Sequence, residues 1–228
     1  MATQAIIFDA YGTLFDVYSI GLTAEKLFPG KGDALSVLWR DKQIDYTRLR
    51  SMCSMYKPFW EVTQDALVFS CRKLGLTLTV DAQKELMSQY AALPAFAENL
   101  PVLKQLQQDN IKLAILSNAN TQMLEAAVKS AGMQGLFAHL LSVDVVRKFK
   151  TAPEAYQLGT DMFGMAAKNI IFVSSNCWDI CGASWFGYTT FWVNRAGAPV
   201  EELGVTPDGQ GKSLTDLLAF VAQRNAAS

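Results

Sequence analysis

The stretch AIIFDAYGT at positions 5–13 decides the fold of this chain. Its first four residues form a short apolar run, which is typical of a strand that is buried on both faces of a parallel sheet. Asp9 ends this run, and Gly12 allows a tight turn soon afterwards. Because open parallel sheets bind their ligands beyond the carboxyl ends of the strands, we predict that Asp9 belongs to a functional site.

Further apolar runs follow along the chain, and turn residues and a helical pattern come after most of them. This alternation predicts an α/β fold, with a Rossmann-like three-layer core built on a parallel sheet. The predicted strands are 5–8, 112–116, 139–143, 170–173 and 190–193, and the helices that accompany them are 121–130, 153–163 and 176–186.

A long helical segment separates the first two predicted strands. Residues 17–95 carry apolar side chains at helical spacing, so we predict a helical cap inserted after the first strand. The core then consists of residues 1–16 and 96–228, and the chain returns to it through 95–101. The apolar positions that define one of the cap helices are Leu49, Met52, Cys53 and Tyr56.

The composition excludes several classes of protein. Half of the 228 residues are hydrophobic, 18% are charged and the net charge is −1, which excludes a disordered chain and argues against a cationic surface for nucleic acid. The longest uncharged stretch, 180–194, is shorter than the ~20 residues that a membrane helix needs. No secretory signal pattern opens the sequence. We therefore expect a cytoplasmic protein whose partner is a small molecule, not nucleic acid or a membrane.

Cysteine and histidine are scarce. The four cysteines form no Cys-x-x-Cys pair, and the single histidine, His139, cannot complete a usual zinc set. We expect neither structural zinc nor disulfides. One histidine and no Gly-x-Ser-x-Gly motif also argue against a Ser-His-Asp hydrolase.

Polar side chains cluster after the predicted strands. Asp9 follows the first strand, Asp179 follows the fourth, and Lys150 lies in the loop after the third. Ser117 and Asn118 follow the second strand. Because the carboxyl ends of parallel strands meet at one edge of a sheet, we expect these groups to converge on one small volume.

The order of these strings resembles the haloacid dehalogenase superfamily, and most closely its L-2-haloacid dehalogenase branch. The resemblance covers almost the whole chain, and its specificity comes from finding every string in the right order. The matching strings are FDAYGTLFD at 8–16, LWR at 38–40, YTRLR at 46–50, LSN at 116–118, Lys150 with Pro153 and Tyr156, and VSSNCWD at 173–179.

The resemblance implies a hydrolytic dehalogenase that converts (S)-2-haloalkanoic acids into (R)-2-hydroxyalkanoic acids and halide. Asp9 attacks C2 and forms an aspartyl ester, which water then hydrolyses, so that C2 is inverted. In this scheme Lys150 keeps Asp9 ionised, Thr13 orients it, and Asp179 activates the water. The residues implied to orient Asp179 are Ser174 and Asn176.

The resemblance also implies how the substrate is held, and it implies a homodimer. The groups for the substrate carboxylate are the Ser117 hydroxyl and the amides of Ala10 and Tyr11. The halide-binding residues are Arg40, Asn118 and Phe59. The residues that supply apolar walls or further hydrogen bonds are Trp178, Tyr156 and Trp39.

Two features favour chemistry without a metal. Phosphatases that resemble this fold carry a second aspartate two positions after the nucleophile, where this chain has Tyr11. After the fourth strand Asp179 is the remaining acid, and the positions where further magnesium ligands would stand hold Ser174, Ser175 and Asn176. The site therefore lacks the carboxylates that Mg²⁺ prefers, and we expect neither a metal nor a cofactor.

Other interpretations stay open from the sequence. The alternatives are a small-molecule phosphatase of the same superfamily, a catalytically silent binding protein with this fold, and a related hydrolase that opens a strained cyclic amino acid. Asn176 and Asp179 are also spaced like a helix cap and its third-residue partner. Tyr18 and Thr151 depart from the branch, which commonly has histidine and proline there, and the sequence does not set the halogen or the chain length.

Overall fold

A parallel sheet organises residues 3–226, the part of the chain that the computed structural model describes. The strands are β1 (Ala5–Phe8), β2 (Lys112–Ser117), β3 (His139–Ser142), β4 (Ile170–Ser174), β5 (Thr189–Val193) and β6 (Gly209–Gly211). Their order across the sheet is β3-β2-β1-β4-β5-β6, which puts β1 in the interior. The predicted α/β fold is confirmed, and the five predicted strands are found within one residue of their expected ends.

The pairing of β1 with its two neighbours fixes the level of the polar residues at the sheet edge. Phe8 pairs with Ile115 on β2 and with Val173 on β4. Continued by one residue, the β4 register brings Asp9 level with Ser174, and the Asp9 amide donates to the Val173 carbonyl at 2.8 Å. All four residues of β1 are completely buried, as the apolar run predicts.

The sequence prediction missed β6, which pairs with β5. Gly209 and Gly211 lack the β-branched and aromatic side chains that signal a strand. Both glycines lie against close neighbours, because a Cβ atom at Gly209 would meet the Phe220 ring and one at Gly211 would meet Asp216. The strand is therefore set by tertiary packing, which its own sequence does not reveal.

The helices confirm most of the predicted pattern between the strands. Asn120 caps the helix at Thr121–Ser130 by accepting a hydrogen bond from the Met123 amide, and the helix at Pro153–Phe163 begins with proline as expected. The helix predicted from position 176 begins one residue later, because Asn176 has an extended backbone. The helices after β1 are α1 (Ile20–Leu27), α2 (Gly32–Met52), α3 (Phe59–Lys73), α4 (Val80–Ala91), α5 (Asn99–Gln108), α6 (Thr121–Ser130), α7 (Pro153–Phe163), α8 (Cys177–Phe186) and α9 (Asp216–Ala226).

The segment between β1 and α5 is helical, but two local predictions within it were wrong. Helix α2 ends at Met52, Ser54 has a positive φ of 54°, and Tyr56 lies beyond the helix. Leu49 and Met52 are exposed, so the apolar spacing there does not mark a buried face. The predicted return segment 95–101 overlaps the first turn of α5, where proline is tolerated because that turn needs no amide donor.

Close packing of α7 against the sheet generates a stability prediction. A Cβ atom added at Gly159 would meet the Ile7 Cδ1 atom on β1 and the Tyr188 hydroxyl. We expect Gly159→Ala to lower the free energy of unfolding by about 1–3 kcal/mol, because overpacking outweighs the gain in helix propensity of about 1 kcal/mol. Urea unfolding measures the change. Met162→Ala, at an exposed position of the same helix, is the control and should stay within about 0.5 kcal/mol of the wild type.

Candidate active site

The Lys150 ammonium lies between two buried carboxylates. Its Nζ atom is 3.1 Å from Asp9 Oδ1 and 2.9 Å from Asp179 Oδ2, and the Lys150 and Asp179 side chains are almost completely buried. Burial alone lowers the pKa of Lys150, but attraction by Asp179 and Asp9 more than offsets this effect and raises it. The lysine is therefore a permanent cation that holds the two acids in one constellation.

The second oxygen of Asp9 accepts hydrogen bonds from side chains in the turn after β1 and at or just after the end of β4. Asp9 Oδ2 accepts from Thr13 Oγ1 at 2.9 Å, from Asn176 Nδ2 at 2.9 Å and from Ser174 Oγ at 3.4 Å. Thr13 Oγ1 in turn accepts from the Ser175 amide at 2.8 Å. With Lys150 on its other oxygen, the Asp9 carboxylate is fixed in direction and has hydrogen-bond donors that suit an ionised group.

Asp179 lies in the first turn of α8, and its carboxylate is held from two sides. Tyr156 donates to Asp179 Oδ1 at 2.7 Å, and Lys150 holds Oδ2. Burial raises the pKa of Asp179, the Lys150 charge opposes this shift, and the nearby Asp9 charge adds to it, so that the pKa is raised overall. Burial also raises the pKa of Tyr156, which keeps that hydroxyl protonated as a donor. A raised pKa makes Asp179 a stronger base than an exposed aspartate.

The structure corrects the predicted roles of Ser174 and Asn176. Both side chains hydrogen-bond to Asp9, whereas Tyr156 and Lys150 hold Asp179. The physical reason is the strand register, which puts Ser174 level with Asp9, while Asp179 lies within the following helix. The Asn176 side chain also makes no capping bond at the start of α8, so the pure capping interpretation does not hold.

Arg40 connects helix α2 to the edge of the sheet. Its Nη2 atom donates to the Tyr11 carbonyl at 3.0 Å and to Asn176 Oδ1 at 3.4 Å. Its Nη1 atom donates to Gln43 Oε1 at 2.8 Å. The Arg40 side chain is buried, so its charge adds to that of Lys150 on the side of Asp9 where Asn176 lies.

Sequence reasoning missed Gln43 and Tyr90, which support Arg40. Gln43 is completely buried, and its Nε2 atom donates to Thr63 Oγ1 at 2.6 Å and to the Tyr90 hydroxyl at 2.9 Å. Gln43 lies three residues after Arg40 on α2, and this spacing brings two side chains to one face of a helix. That spacing was the available signal, although it does not distinguish a buried glutamine from an exposed one.

The residues at the end of β2 and just after it lie beside the network of Asp9, Lys150 and Asp179. Asn118 Oδ1 accepts from the Lys150 amide at 2.9 Å, so Asn118 fixes the backbone that carries the lysine. Ser117 is buried at the end of β2, and its hydroxyl accepts from the Ala119 amide at 3.1 Å. The β1–β2 register, continued by two residues, puts Ser117 level with Ala10. These two predicted carboxylate-binding residues therefore lie at the same edge of the sheet, each two residues beyond the last β1–β2 pair.

Aromatic side chains enclose the site on the side of the inserted helices. The Tyr11 ring packs against Phe59 with centroids 6.0 Å apart and stacks on Tyr90 at 5.5 Å. Trp39 is buried and donates to the Thr63 carbonyl, which makes it a packing residue of α2 and α3. Phe59, which was predicted to bind the halide, therefore contacts Tyr11 of the site, whereas Trp39, a predicted wall residue, packs between the two helices.

A cavity of about 520 Å³ opens beside the network, and this volume is in the range of small-molecule pockets. Arg40, Asn176 and Trp178 line it, together with Trp192 on β5 and Arg195 just after that strand. Asn176 therefore borders the cavity and also hydrogen-bonds to Asp9. Within residues 3–226, no helix combines the length and apolar character that a membrane crossing requires.

The donor set does not fit a divalent cation. The Lys150 ammonium occupies the space between Asp9 and Asp179, and the other contacts of Asp9 are hydroxyl and amide donors that favour an anion. Among residues 3–226, no group of three or more His, Cys, Asp and Glu side chains is arranged to hold a metal ion. Dications such as Mg²⁺ need oxygen ligands whose lone pairs are free to coordinate the metal.

Comparisons with known proteins agree with this geometry. The haloacid dehalogenase-like hydrolase family matches residues 3–187. The (S)-2-haloacid dehalogenase of Pseudomonas sp. (strain YL) is 45% identical over 211 residues, which are 92% of this chain and 91% of the relative. Haloacetate dehalogenase H-2 of Moraxella sp. (strain B) is 44% identical over 205 residues, which are 90% of this chain and 92% of the relative.

Solved structures give the same result. The crystal structure of an L-2-haloacid dehalogenase is 59% identical, with a TM-score of 0.95 over 97% of this chain and 100% of that one. The L-2-haloacid dehalogenase of Xanthobacter autotrophicus, solved with chloropropionic acid covalently bound, is 33% identical, with a TM-score of 0.89 over 97% of this chain and 99% of that one. From its sequence, its sheet and its buried pair of acids around a lysine, this chain belongs to the haloacid dehalogenase-like hydrolase family.

Proposed function

We propose that this chain is a hydrolytic dehalogenase that converts (S)-2-haloalkanoic acids into (R)-2-hydroxyalkanoic acids and halide. The observation that carries the proposal is the buried Asp9 carboxylate, which accepts hydrogen bonds from Thr13, Asn176 and Ser174 and is paired with Lys150. A carboxylate held in this way suits nucleophilic attack on carbon. Relatives that are named as 2-haloacid dehalogenases support the same substrate class.

The first step forms a bond between an Asp9 oxygen and C2 of the substrate, while the C2–halogen electron pair leaves as halide. Lys150 compensates the charge of Asp9 before attack and then remains beside Asp179. We assign Ser117, with the Ala10 and Tyr11 amides, to the substrate carboxylate, because Ser117 lies level with Ala10 at the sheet edge. Preorganised donors of this kind orient the substrate without a cost of reorganisation during the reaction.

Halide departure is assigned to the side of the site that Arg40 covers. Arg40 is buried and already directed at the Tyr11 carbonyl and Asn176. Phe59 and Asn118 complete this side, although Asn118 also serves the backbone of Lys150. We assign the entry of the substrate to the cavity lined by Trp178 and Asn176, because Asn176 also hydrogen-bonds to Asp9.

The second step hydrolyses the ester through Asp179. Its raised pKa and its position beside Lys150 suit a base that takes a proton from water. Water attacks the carboxyl carbon of Asp9 and the ester bond breaks at that carbon. The hydroxy acid leaves with the original Asp9 oxygen and takes the proton that Asp179 removed from the water, and the second proton of the water passes to solvent. Activity therefore falls as the pH drops through the raised pKa of Asp179, because the protonated form cannot accept the proton.

Several broader assignments rest on the family resemblance. We propose residues 1–16 and 96–228 as the core and 17–95 as the cap; of these, residues 1, 2, 227 and 228 lie outside the described part of the chain. Arg40 supports this division, because it reaches from α2 to the sheet edge. We also propose a cytoplasmic homodimer that acts on small halocarboxylates, with neither nucleic acid nor membrane as partner. Tyr11 at the position of the phosphatases' second aspartate disfavours the phosphatase alternative.

Isotope labelling tests the nucleophile. In a single turnover with excess enzyme in ¹⁸O-water, we expect the label in the Asp9 side chain, because water attacks that carboxyl carbon. Peptide mass mapping locates it, and peptides that carry other carboxylates serve as the internal control. Asp179→Asn should let the ester accumulate as a mass adduct on Asp9. Label that appears directly in the hydroxy acid instead would mean that water attacks C2.

Metal removal tests the role of the ammonium. We expect halide release from 2-chloropropanoate to be unchanged after exhaustive EDTA treatment, because Lys150 supplies the positive charge between the two acids. A magnesium-dependent phosphatase treated in the same way is the control for complete chelation. Loss of halide release that Mg²⁺ restores would contradict the proposal.

Product stereochemistry tests whether the first step acts on C2 of the substrate and the second step on the carboxyl carbon of Asp9. Attack on C2 from the side opposite the halogen inverts it, and the later attack on the Asp9 carboxyl carbon leaves C2 untouched. We expect (R)-lactate from (S)-2-chloropropanoate, measured by chiral chromatography, and little turnover of the (R) substrate. Retention or racemic lactate from the (S) substrate would exclude a single displacement at C2.

A further inference from the structure

The Tyr11 hydroxyl is a buried polar group without a hydrogen-bond partner. Within residues 3–226 three buried side-chain polar atoms have this property, and the other two are Thr3 Oγ1 and Arg195 Nη1. Arg195 is partly exposed and is bonded through its other nitrogen, and Thr3 lies just before β1 at the opposite end of that strand from Asp9. A buried donor that finds no acceptor costs folding free energy, so its retention calls for a functional explanation.

The groups around Tyr11 are already paired with one another. Arg40 bonds to Gln43 and to the Tyr11 carbonyl, and the Tyr90 hydroxyl bonds to Gln43. The Tyr11 and Tyr90 rings are stacked with an angle of 6° between them, so two similar phenols lie side by side. One has its hydrogen bond within the protein, and the other does not.

The surroundings of Tyr11 suit a small anion. The residue is 3% exposed, and its ring packs against the rings of Phe15, Phe59 and Tyr90, which offer no strong acceptor. Burial and the nearby Tyr90 raise the pKa of Tyr11, and the Arg40 charge only partly opposes this shift. The hydroxyl therefore stays protonated and keeps a hydrogen to donate. A donor near a buried guanidinium and within an apolar wall stabilises negative charge that enters from outside the protein.

We infer that the Tyr11 hydroxyl donates a hydrogen bond to the halide as it leaves C2. This inference rests on the proposed dehalogenase function. The Asp9–C2 bond forms, the C2–halogen pair becomes the halide, and the Tyr11 O–H bond stays intact. Tyr11 lies two residues after the nucleophile and against Phe59, on the side of the site assigned to the halide. It is therefore a catalytic residue, in addition to Arg40 on that side.

The inference predicts a dependence on the halogen. The charge on a departing halide is most concentrated for fluoride and more concentrated for chloride than for bromide. A hydrogen bond to that charge is therefore strongest for fluoride and weakest for bromide. A residue that only shapes the pocket or supports the fold would not produce this order.

The test compares Tyr11→Phe with wild type on 2-bromo-, 2-chloro- and 2-fluoropropanoate. The measured quantity is kcat/KM for halide release, because it reports the steps up to halide departure and is independent of ester hydrolysis. We expect a loss of about 10- to 100-fold on the chloro acid, in the range for a hydrogen bond to a charged group. The loss should be smaller on the bromo acid and larger on the fluoro acid. The melting temperature of Tyr11→Phe should equal or exceed that of wild type, because the unpaired buried donor is gone.

Tyr90→Phe is the matched control, since it removes the paired hydroxyl of the same stacked pair. It should lower the melting temperature, because it removes a hydroxyl that is paired within the protein, whereas Tyr11→Phe should not. Wild type that releases no halide from any of these acids would refute the proposed function itself. Wild type that is active, with a Tyr11→Phe loss that is absent or equal for every halogen, would overturn only the role of Tyr11.

Discussion

The contact of one ammonium with two buried carboxylates is the constraint on which the rest of the site depends. Placing Asp9, Asp179 and Lys150 together inside the protein requires each charge to have a partner, since loss of one member of a buried pair costs about 3–5 kcal/mol. The two acids share this one ammonium as their direct charge partner. Hydrogen bonds from Thr13 and Asn176 give Asp9 two further donors. The same arrangement that makes the cluster tolerable also fixes the direction of each carboxylate.

Apolar runs and the residues that follow them predicted most of the fold and of the site. β1 is an uninterrupted apolar run that ends at Asp9, and it is buried on both faces as such a run requires. β6 escaped prediction because two glycines carry no strand signal, and α2 ends earlier than its apolar spacing suggested because Ser54 takes a left-handed backbone. Local sequence thus predicts elements that it stabilises itself, and it misses elements that depend on packing from elsewhere.

The partners of individual side chains were harder to predict than their presence in the site. Ser174, Asn176 and Asp179 are close in sequence, which suggested that they act on one another. The strand register instead brings Ser174 to Asp9. Asp179 lies in the first turn of α8, where its side chain makes no hydrogen bond to Ser174 or Asn176. Gln43 shows the same limit, because its importance comes from a buried arginine that sequence alone does not reveal as buried. Which residues meet is decided across the sheet and between helices, at separations that no local pattern covers.

The in-register pairing of β1 with β2 and β4 has a consequence for how this chain can change in evolution. Connections that leave and return to the sheet can gain or lose residues without moving Asp9 relative to Ser174 and Ser117. A single inserted residue within β1 has a different effect, because it turns every following side chain to the opposite face. The strands therefore keep the reacting side chains at fixed positions relative to one another, while length variation accumulates in the segments between them. New pocket shapes can arise in the helical insertion and keep the same reacting groups in place.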